Sequence, residues 1–159
     1  MLNQVFAACL MIAAQSYQVP PAVLYGIYQV EGGKVGQMVG PNKNGTYDLG
    51  PMQINTLWVP VLAKHWKISE QRAFRLIRDD SCTNVNVSAW ILRTNLDETG
   101  SLGRAIAYYH SRTPSIGSNY KRKVISAMRR NGLIKKKDTA QENVALKTET
   151  KVADLHLKQ

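Results

Sequence analysis

The N-terminal part of the chain is almost without charge. No lysine or arginine occurs before Lys34, so the apolar run from Val5 to Ala14 lacks the basic segment that opens an export signal. The run is also shorter than the roughly 20 apolar residues that a membrane-spanning helix needs. We therefore expect no membrane span here, and export either in a processed form or by a route that the sequence does not display.

The same apolar run suits a first core helix. We expect this helix to extend from about Asn3 to Tyr17. Residues four apart share one helical face, which predicts that the buried face carries Val5, Cys9 and Ala13.

Cysteine and histidine are scarce as well. The only cysteines, Cys9 and Cys82, are too far apart for a metal-binding Cys-x-x-Cys pair, and His65, His110 and His156 show no ligand spacing. We expect no metal and no cofactor. The two cysteines either form one long-range disulfide or stay reduced in the core, and their positions alone leave both possibilities open.

The charge that the N-terminal part lacks is concentrated at the other end. The chain has 159 residues, a net charge of +10 and a hydrophobic fraction of 44%, which suits one globular domain. Residues 121–159 hold eleven Lys and Arg against four Asp and Glu. We expect a folded domain over residues 1–134 and a flexible basic tail over 135–159. The tail has no interleaved aromatic residues, so nucleic acid is not an expected partner.

One carboxylate stands out on a predicted helix. The pair Pro20-Pro21 suits a helix start, and Gly32-Gly33 suits its end, because glycine adopts the left-handed conformation of a helix C-terminus. Between these limits Glu31 falls on the same apolar stripe as Leu24, Ile27 and Tyr28.

A carboxyl group on a core-facing stripe points to acid chemistry. Burial disfavours the charged form and raises the pKa, and no basic residue lies on this helix to oppose that effect. General-acid catalysis at a glycosidic oxygen requires a proton donor such as a carboxyl group whose pKa is near neutrality. The alternative is that Glu31 lies at a solvated helix end and has no chemical role.

The rest of the chain predicts a mainly helical protein with one small β element. Asn44-Gly45 is a strong tight-turn signal, so we expect a hairpin within residues 32–46 that leads into the segment Tyr47 to Asn55. Further helices are predicted over about Leu57–Trp66, from an N-cap at Ser69, over Asn84–Leu96, over Gly103–Tyr109 and over Ser118–Arg130.

Three motifs carry a family resemblance. They are Glu31-Gly32-Gly33, the segment Gly-Pro-Met-Gln-Ile-Asn at 50–55, and Ala-Ile-Ala-Tyr-Tyr-His at 105–110. In this order they resemble the soluble lytic transglycosylases, in the compact form associated with type IV secretion, conjugation, pilus and type III secretion systems. Gly32 stands where that family usually has Ser, and His110 where it usually has Asn. The resemblance covers about Cys9 to Arg130 and implies an α+β, mainly helical, lysozyme-like domain whose cleft is lined by the hairpin.

The resemblance also implies an activity and a site. Such enzymes cleave the β-1,4 bond between N-acetylmuramic acid and N-acetylglucosamine and leave a 1,6-anhydro ring, with one carboxyl group as acid and base, here Glu31. By resemblance the hydroxyl of Tyr109 reaches that acid. The implied substrate-binding residues are Gly50, Met52, Gln53, Ile54, Asn55 and Tyr109. Asp48, Tyr108 and His110 are expected to support them.

Partners and compartment follow from the same resemblance. Related proteins pair a cysteine of the first helix with one in an Asp-Pro-Cys segment, which implies a Cys9–Cys82 disulfide and an oxidising compartment such as the periplasm. The implied partners are peptidoglycan strands and components of a transenvelope secretion or pilus machine, with the protein itself a monomer.

Two other functions remain open at this point. One is a hydrolytic lysozyme in which Asp48 positions water, although an aspartate before a turn more often bonds backbone N–H groups. The other is a peptidoglycan-binding assembly protein without activity, in which Gly32 and His110 mark a lost site.

Overall fold

A computed structural model of the chain describes residues 3–135. Within that range the helices are α1 (Gln4–Ser16), α2 (Pro21–Glu31), α3 (Trp58–Trp66), α4 (Glu70–Asp79), α5 (Ser81–Thr99), α6 (Leu102–His110) and α7 (Pro114–Arg130). The strands are β1 (Met38–Val39), β2 (Asp48–Leu49) and β3 (Ile54–Asn55). The expected mainly helical fold with a small β element is confirmed. Apart from Lys135, the predicted tail lies outside the described residues.

Helix α2 has the limits that its proline and glycine residues predict. Pro21 occupies the first helical position, and Gly32 ends the helix with a left-handed φ of 62° while its N–H group donates to the carbonyl of Tyr28. Leu24 and Ile27 are fully buried. The apolar stripe therefore faces the core, and Glu31 is the last residue along it.

Helix α1 turns a different face to the core than predicted. Phe6, Cys9, Leu10 and Ala13 are buried, but Val5 is 63% exposed, so its predicted burial is wrong. The helix is apolar on nearly all sides, and periodicity alone could not select the buried one. The aromatic ring of Phe6, which is larger than the side chain of Val5, packs against the ring of Tyr28 with 4.6 Å between the centroids.

A disulfide joins α1 to α5. Cys9 and Cys82 are bonded across 73 residues of sequence, with Cα atoms 5.0 Å apart. The pairing implied by the family resemblance is confirmed. The bond fixes the N-terminal helix against the longest helix, which crosses the middle of the domain.

The three strands form an antiparallel sheet in the order β1-β2-β3, in which Met38 pairs with Leu49 and Asp48 pairs with Asn55. The predicted turn at Asn44-Gly45 lies in the loop that joins β1 to β2. The second strand falls just beyond the predicted hairpin, and the third strand was not predicted. Each strand has only two residues, which is too short for an alternating pattern to be visible in the sequence.

Two helix starts differ from their predicted positions for local reasons. Helix α5 begins at Ser81 because the side chain of Asp80 accepts a hydrogen bond from the Thr83 N–H. Helix α7 begins at Pro114, whose ring suits the first helical position. The predicted N-cap at Ser69 is confirmed, since its hydroxyl accepts from the Arg72 N–H.

Helices α2 and α7 approach each other closely at Gly26. A Cβ atom at this position would lie 2.8 Å from the side chain of Met128 and 3.0 Å from that of Val124. The absence of a side chain at Gly26 therefore lets the two helices pack together. No helix among residues 3–135 is long and apolar enough to cross a membrane.

Candidate active site

Glu31 lies at the C-terminal end of α2, where α7 passes beside it. The hydroxyl of Tyr120, on α7, donates a 2.6 Å hydrogen bond to the Oε1 atom of Glu31. Tyr120 is only 5% exposed, whereas Glu31 is half-buried, so the bond lies at the border between the core and the cavities. Burial and the Glu31 carboxylate raise the pKa of Tyr120 above its ordinary value, so the hydroxyl keeps its proton and remains the donor.

Burial raises the pKa of Glu31 from 4.5 to about 7. The hydrogen bond from Tyr120 favours the charged form and opposes this rise, the charge of Asp48 adds to it, and the charge of Lys123 opposes it. Desolvation is the largest of these effects. Both protonation states of Glu31 are therefore accessible near neutral pH, as the predicted acid chemistry requires.

Glu31 lies where two cavities meet. The first, here the sheet cavity, has a volume of about 410 Å³ and is lined by polar residues of the sheet and its loops together with aromatic residues of α3 and α6. The second, here the α7 cavity, has a volume of about 440 Å³ and is lined by the end of α2 and the first turns of α7. Glu31 and His110 line both cavities.

The segment from Gly50 to Asn55 is only partly exposed to the sheet cavity. Gln53, Ile54 and Asn55 line it, as expected for substrate-binding residues, whereas Gly50 and Met52 do not. Met52 is fully buried. Gly50 and Met52 are therefore not part of the lining of this cavity, and their predicted contacts with substrate stay a prediction.

The structure shows two reasons for a glycine at position 50. Its φ of 67° favours glycine, and a Cβ atom there would lie 2.5 Å from the side-chain amide of Asn84. The close approach that the structure shows at Gly50 is to Asn84, and the predicted approach to a ligand stays a prediction.

Asn84 is a structural residue that the sequence analysis missed. It is fully buried on α5, and its Nδ2 atom donates to the carbonyls of Leu49 and Ile77 at 2.9 and 2.8 Å. Its Oδ1 atom accepts from the N–H of Met52 at 2.8 Å. In the sequence Asn84 is only the first residue of a predicted helix, which does not reveal its partners.

Tyr109 supports the same segment, and its hydroxyl does not contact Glu31. The hydroxyl is hydrogen-bonded to the carbonyl of Met52 at 3.1 Å and to the hydroxyl of Ser88 at 2.9 Å. The expectation that Tyr109 reaches the acid is therefore wrong, and Tyr120 takes that place. The two tyrosine rings are stacked with centroids 6.3 Å apart.

Asp48 lines the sheet cavity, and each of its carboxylate oxygens accepts a hydrogen bond. Its Oδ1 atom accepts from the Nδ2 of Asn55 at 2.9 Å, and its Oδ2 atom accepts from the Nδ2 of Asn42 at 3.0 Å. The expected bonds to backbone N–H groups are absent among the described residues, because Asp48 is part of β2 and its side chain meets neighbouring amides instead.

His110 and Tyr108 complete the wall of the site. The imidazole of His110 stacks on Tyr120 with centroids 4.7 Å apart and an interplanar angle of 8°. Partial burial lowers the pKa of His110; the charge of Asp48 opposes this effect and the charge of Lys123 adds to it, so the ring is mainly neutral at pH 7. Tyr108 lines the sheet cavity while the guanidinium of Arg112 lies 4.8 Å above its ring.

Gly32 adopts the left-handed conformation, and a Cβ atom there would meet no other atom within 4 Å. A serine at this position would therefore fit sterically, at the cost of backbone strain. Within residues 3–135, no group of three or more His, Cys, Asp or Glu side chains is arranged to hold a metal ion.

Comparison with known proteins identifies the family of this site. Residues 8–132 match the model of the transglycosylase SLT domain. The chain belongs to the transglycosylase SLT family. The matched range includes Glu31, Tyr120 and every other residue that lines the two cavities. The SLT-family resemblance inferred from the three sequence motifs is thereby confirmed.

Three curated proteins are similar to this SLT-family chain. It is 31% identical over 112 residues to the invasion protein IagB of Salmonella typhimurium, an alignment that covers 70% of this chain and 67% of that protein. IagB of Salmonella typhi matches to the same extent. A peptidoglycan-binding-like protein of Escherichia coli O157:H7 is 24% identical over 110 residues, which cover 66% of this chain and 64% of that protein.

Proposed function

We propose that this SLT-family protein is a peptidoglycan lytic transglycosylase in which Glu31 is both the acid and the base. The observation that carries the proposal is the pKa of about 7 of a carboxyl group that lies where two cavities meet. A glycan strand bound across both cavities would present one glycosidic oxygen to this group.

In the first step the protonated Glu31 donates its proton to the oxygen that links N-acetylmuramic acid to N-acetylglucosamine. The C1–O bond breaks, and the N-acetylglucosamine part leaves as an alcohol. The positive charge that develops at C1 of the muramic residue is stabilised by its own N-acetyl group, so no second protein carboxylate is needed.

In the second step Glu31, now a carboxylate, takes the proton of the muramic C6 hydroxyl. The C6 oxygen forms a bond to C1 and closes the 1,6-anhydro ring, and Glu31 is protonated again for the next cycle. A pKa near the working pH suits a group that must give and receive a proton in turn.

The arrangement of Asp48 favours this reaction over hydrolysis. A hydrolytic lysozyme needs a second carboxylate that acts as nucleophile or activates water. Both oxygens of Asp48 already accept hydrogen bonds from Asn42 and Asn55, which holds the side chain against the sheet. We therefore assign Asp48 to the shape and charge of the sheet cavity.

The proposed setting is the cell envelope. A disulfide such as Cys9–Cys82 persists in oxidising compartments, which favours the periplasm. One relative is an invasion protein, and another is peptidoglycan-binding-like by name. We infer that the protein acts as a monomer that opens the wall locally for a secretion, conjugation or pilus machine, whose components would be its partners.

The decisive test is mass spectrometry of muropeptides released from purified peptidoglycan. The wild-type protein should release 1,6-anhydromuramic products, and Glu31→Gln, which keeps the side-chain volume, should release none. Reducing-end products would instead support hydrolysis and a role for Asp48. If the folded, disulfide-bonded wild-type protein binds strands and releases nothing, the protein is a binding or assembly factor.

A further inference from the structure

A further cavity is separate from the two that meet at Glu31. It is formed by the end of α1 together with α3, α4 and α5, and none of its nine lining residues lines the sheet cavity or the α7 cavity. We call it the tryptophan pocket, after Trp66 and Trp90. Its volume of about 250 Å³ is below the roughly 300 to 1000 Å³ of sites for drug-sized ligands, so it suits a single ring.

Helix α5 presents one stripe to this pocket and another to the segment beside the acid. Thr83, Asn86, Val87 and Trp90 line the pocket, and their spacing places them on one helical face. Asn84 lies on a different face, from which it holds the segment at 50–55. The tryptophan pocket therefore lies against a side of α5 that the proposed mechanism does not use.

The aromatic side chains of the pocket are only partly covered. Tyr17, Trp66 and Trp90 pack on the core, yet each remains partly exposed. Large rings left open in a concave site are typical of ligand-binding surfaces. No Lys, Arg, Asp or Glu lines the pocket, so a charged ligand would find no ionic partner there. The lining thus favours a neutral ligand.

Neutral polar groups lie among these rings. They are the hydroxyls of Tyr17 and Thr83, the imidazole of His65 and the amide of Asn86. Within residues 3–135 the first three form no hydrogen bond to the protein, and none is a buried unpaired atom, so they are open to solvent. Aromatic faces beside neutral donors and acceptors suit a sugar ring, whose C–H groups are apolar and whose hydroxyl and acetamido groups form hydrogen bonds.

The pocket adjoins the proposed path of the glycan strand. Trp58 lines the sheet cavity, and its ring meets that of Trp90 edge-on with centroids 5.3 Å apart. One tryptophan of this pair lines the sheet cavity and the other lines the tryptophan pocket. A sugar in either cavity would therefore contact the pair from its own side.

We propose that the tryptophan pocket is an accessory site that binds one N-acetylhexosamine ring of a glycan strand outside the cleft. The inference rests on the proposed function for the choice of a glycan as ligand. A neighbouring strand, or a distant part of the same strand, held here would keep the protein attached to the wall between cleavages, because linked contacts raise the effective affinity of each.

The three tryptophans of the chain allow the two sites to be followed separately. Glu31→Gln protein is titrated with tri-N-acetylchitotriose, a neutral chain of three N-acetylglucosamine units, and the indole N–H signals are recorded by NMR. Trp58 reports the sheet cavity and Trp66 reports the tryptophan pocket. The Trp66 signal should shift with its own dissociation constant, on the order of 1 mM for a single sugar ring.

A variant pair on α3 tests whether this shift comes from the pocket. His65→Ala should raise the dissociation constant at Trp66 about fivefold, the effect of about one lost hydrogen bond, and leave that at Trp58 unchanged. His65 is exposed, so its replacement should not disturb folding. Lys64→Ala, at the neighbouring exposed residue that does not line the pocket, is the matched control and should change neither value.

Three results would overturn the proposal. The first is a Trp66 signal that does not move up to the solubility limit of the sugar. The second is a Trp66 shift that follows the dissociation constant of Trp58 and ignores His65→Ala, since it would be transmitted through the tryptophan pair. The third is a shift with N-acetylphenylalanine amide and none with the sugar, which would make the pocket a docking site for an aromatic side chain of a partner protein.

The proposed function is scored by a different readout. Failure of the wild-type protein to release muropeptides would refute cleavage at Glu31. The titration of Glu31→Gln protein measures binding at Trp66 without turnover, so its result stands whichever way the cleavage assay falls.

Discussion

Tyr120 and Glu31 are 89 positions apart in sequence, yet the tyrosine hydroxyl lies 2.6 Å from the glutamate Oε1 atom. The bond joins the end of α2 to the middle of α7. It fixes the orientation of the carboxyl group and favours its charged form, so that it works against the effect of burial. Tyr120 thus orients the carboxyl group of Glu31 and limits the rise of its pKa.

Replacing Tyr120 with Phe should therefore raise the pKa of Glu31 above about 7. The ring remains to stack with His110, and only the hydroxyl is lost. In a profile of kcat/KM against pH, the fall on the alkaline side reports loss of the proton from Glu31, and it should move to higher pH. We expect the maximal rate to fall about tenfold because the carboxyl group is no longer oriented. An alkaline limb at the wild-type position would contradict this account of the hydrogen bond.

Glu31 should also make stability depend on pH. Its pKa is about 7 in the folded protein and 4.5 when exposed, so the folded state binds the proton more tightly. The stabilisation is complete below pH 4.5 and is lost as the pH rises through about 7. Relative to Glu31→Gln, the wild type should lose about 1 to 3 kcal/mol of unfolding free energy between pH 4 and pH 8.

Urea unfolding of the two proteins at both pH values checks this expectation. The difference between them should be small at pH 4 and should favour Glu31→Gln at pH 8. A constant difference, or a variant that is less stable at pH 8, would mean that burial does not penalise the carboxylate.

Asn84 should be among the costliest polar residues to replace. Asn84→Leu removes the partners of two buried carbonyls and one buried N–H group, those of Leu49, Ile77 and Met52. We expect a loss of about 3 to 5 kcal/mol in unfolding free energy, since each unpaired buried group costs about 1 to 3 kcal/mol and some will find water. Asn86→Leu, on the same helix with one side-chain hydrogen bond to the carbonyl of Cys82, should cost about 1 kcal/mol or less. Equal losses would show that the three bonds of Asn84 are not special.

The disulfide should matter strongly to folding. Cys9 and Cys82 close a loop with a sequence separation of 73, for which the chain-entropy model gives a stabilisation of about 4 kcal/mol. The double substitution to Ser, or reduction by dithiothreitol, should lower the unfolding free energy by about that amount. Thermal unfolding with and without reductant measures it, with the double variant as the control that should not respond to reductant. An unchanged midpoint in the wild type would refute the expectation.

Local signals made the position of Glu31 predictable. Proline marks the start of α2 and glycine marks its end, and both are visible in the sequence. The spacing of Leu24 and Ile27 indicates the helical face on which Glu31 lies. The motifs at 50–55 and 105–110 located the neighbouring segments, and Gln53, Ile54 and Asn55 do line the sheet cavity. Whether they bind substrate stays a prediction.

Contacts between distant elements could not be predicted in the same way. Tyr120 follows the motifs by ten residues and carries no signal that its hydroxyl would reach α2. Tyr109 was placed at the acid by resemblance, and only the packing of α6 on α5 shows that it bonds to Met52 and Ser88. The predicted burial of Val5 was wrong because α1 is apolar on nearly every side. The packing of Phe6 on Tyr28 determines which face of α1 is buried.

The absence of a side chain at Gly26 restricts which substitutions the protein can accept at that position. This residue has no polar side-chain atom and lies more than one turn from Glu31, yet it sets how near α7 comes to α2. A single added methyl group would press on Met128 and shift the helix that carries Tyr120 away from the acid. The placement of Tyr120 beside Glu31 thus depends on a residue that lines neither the sheet cavity nor the α7 cavity. The pKa of Glu31 in Gly26→Ala, followed by carboxyl NMR, should rise if this is so and stay near 7 if it is not.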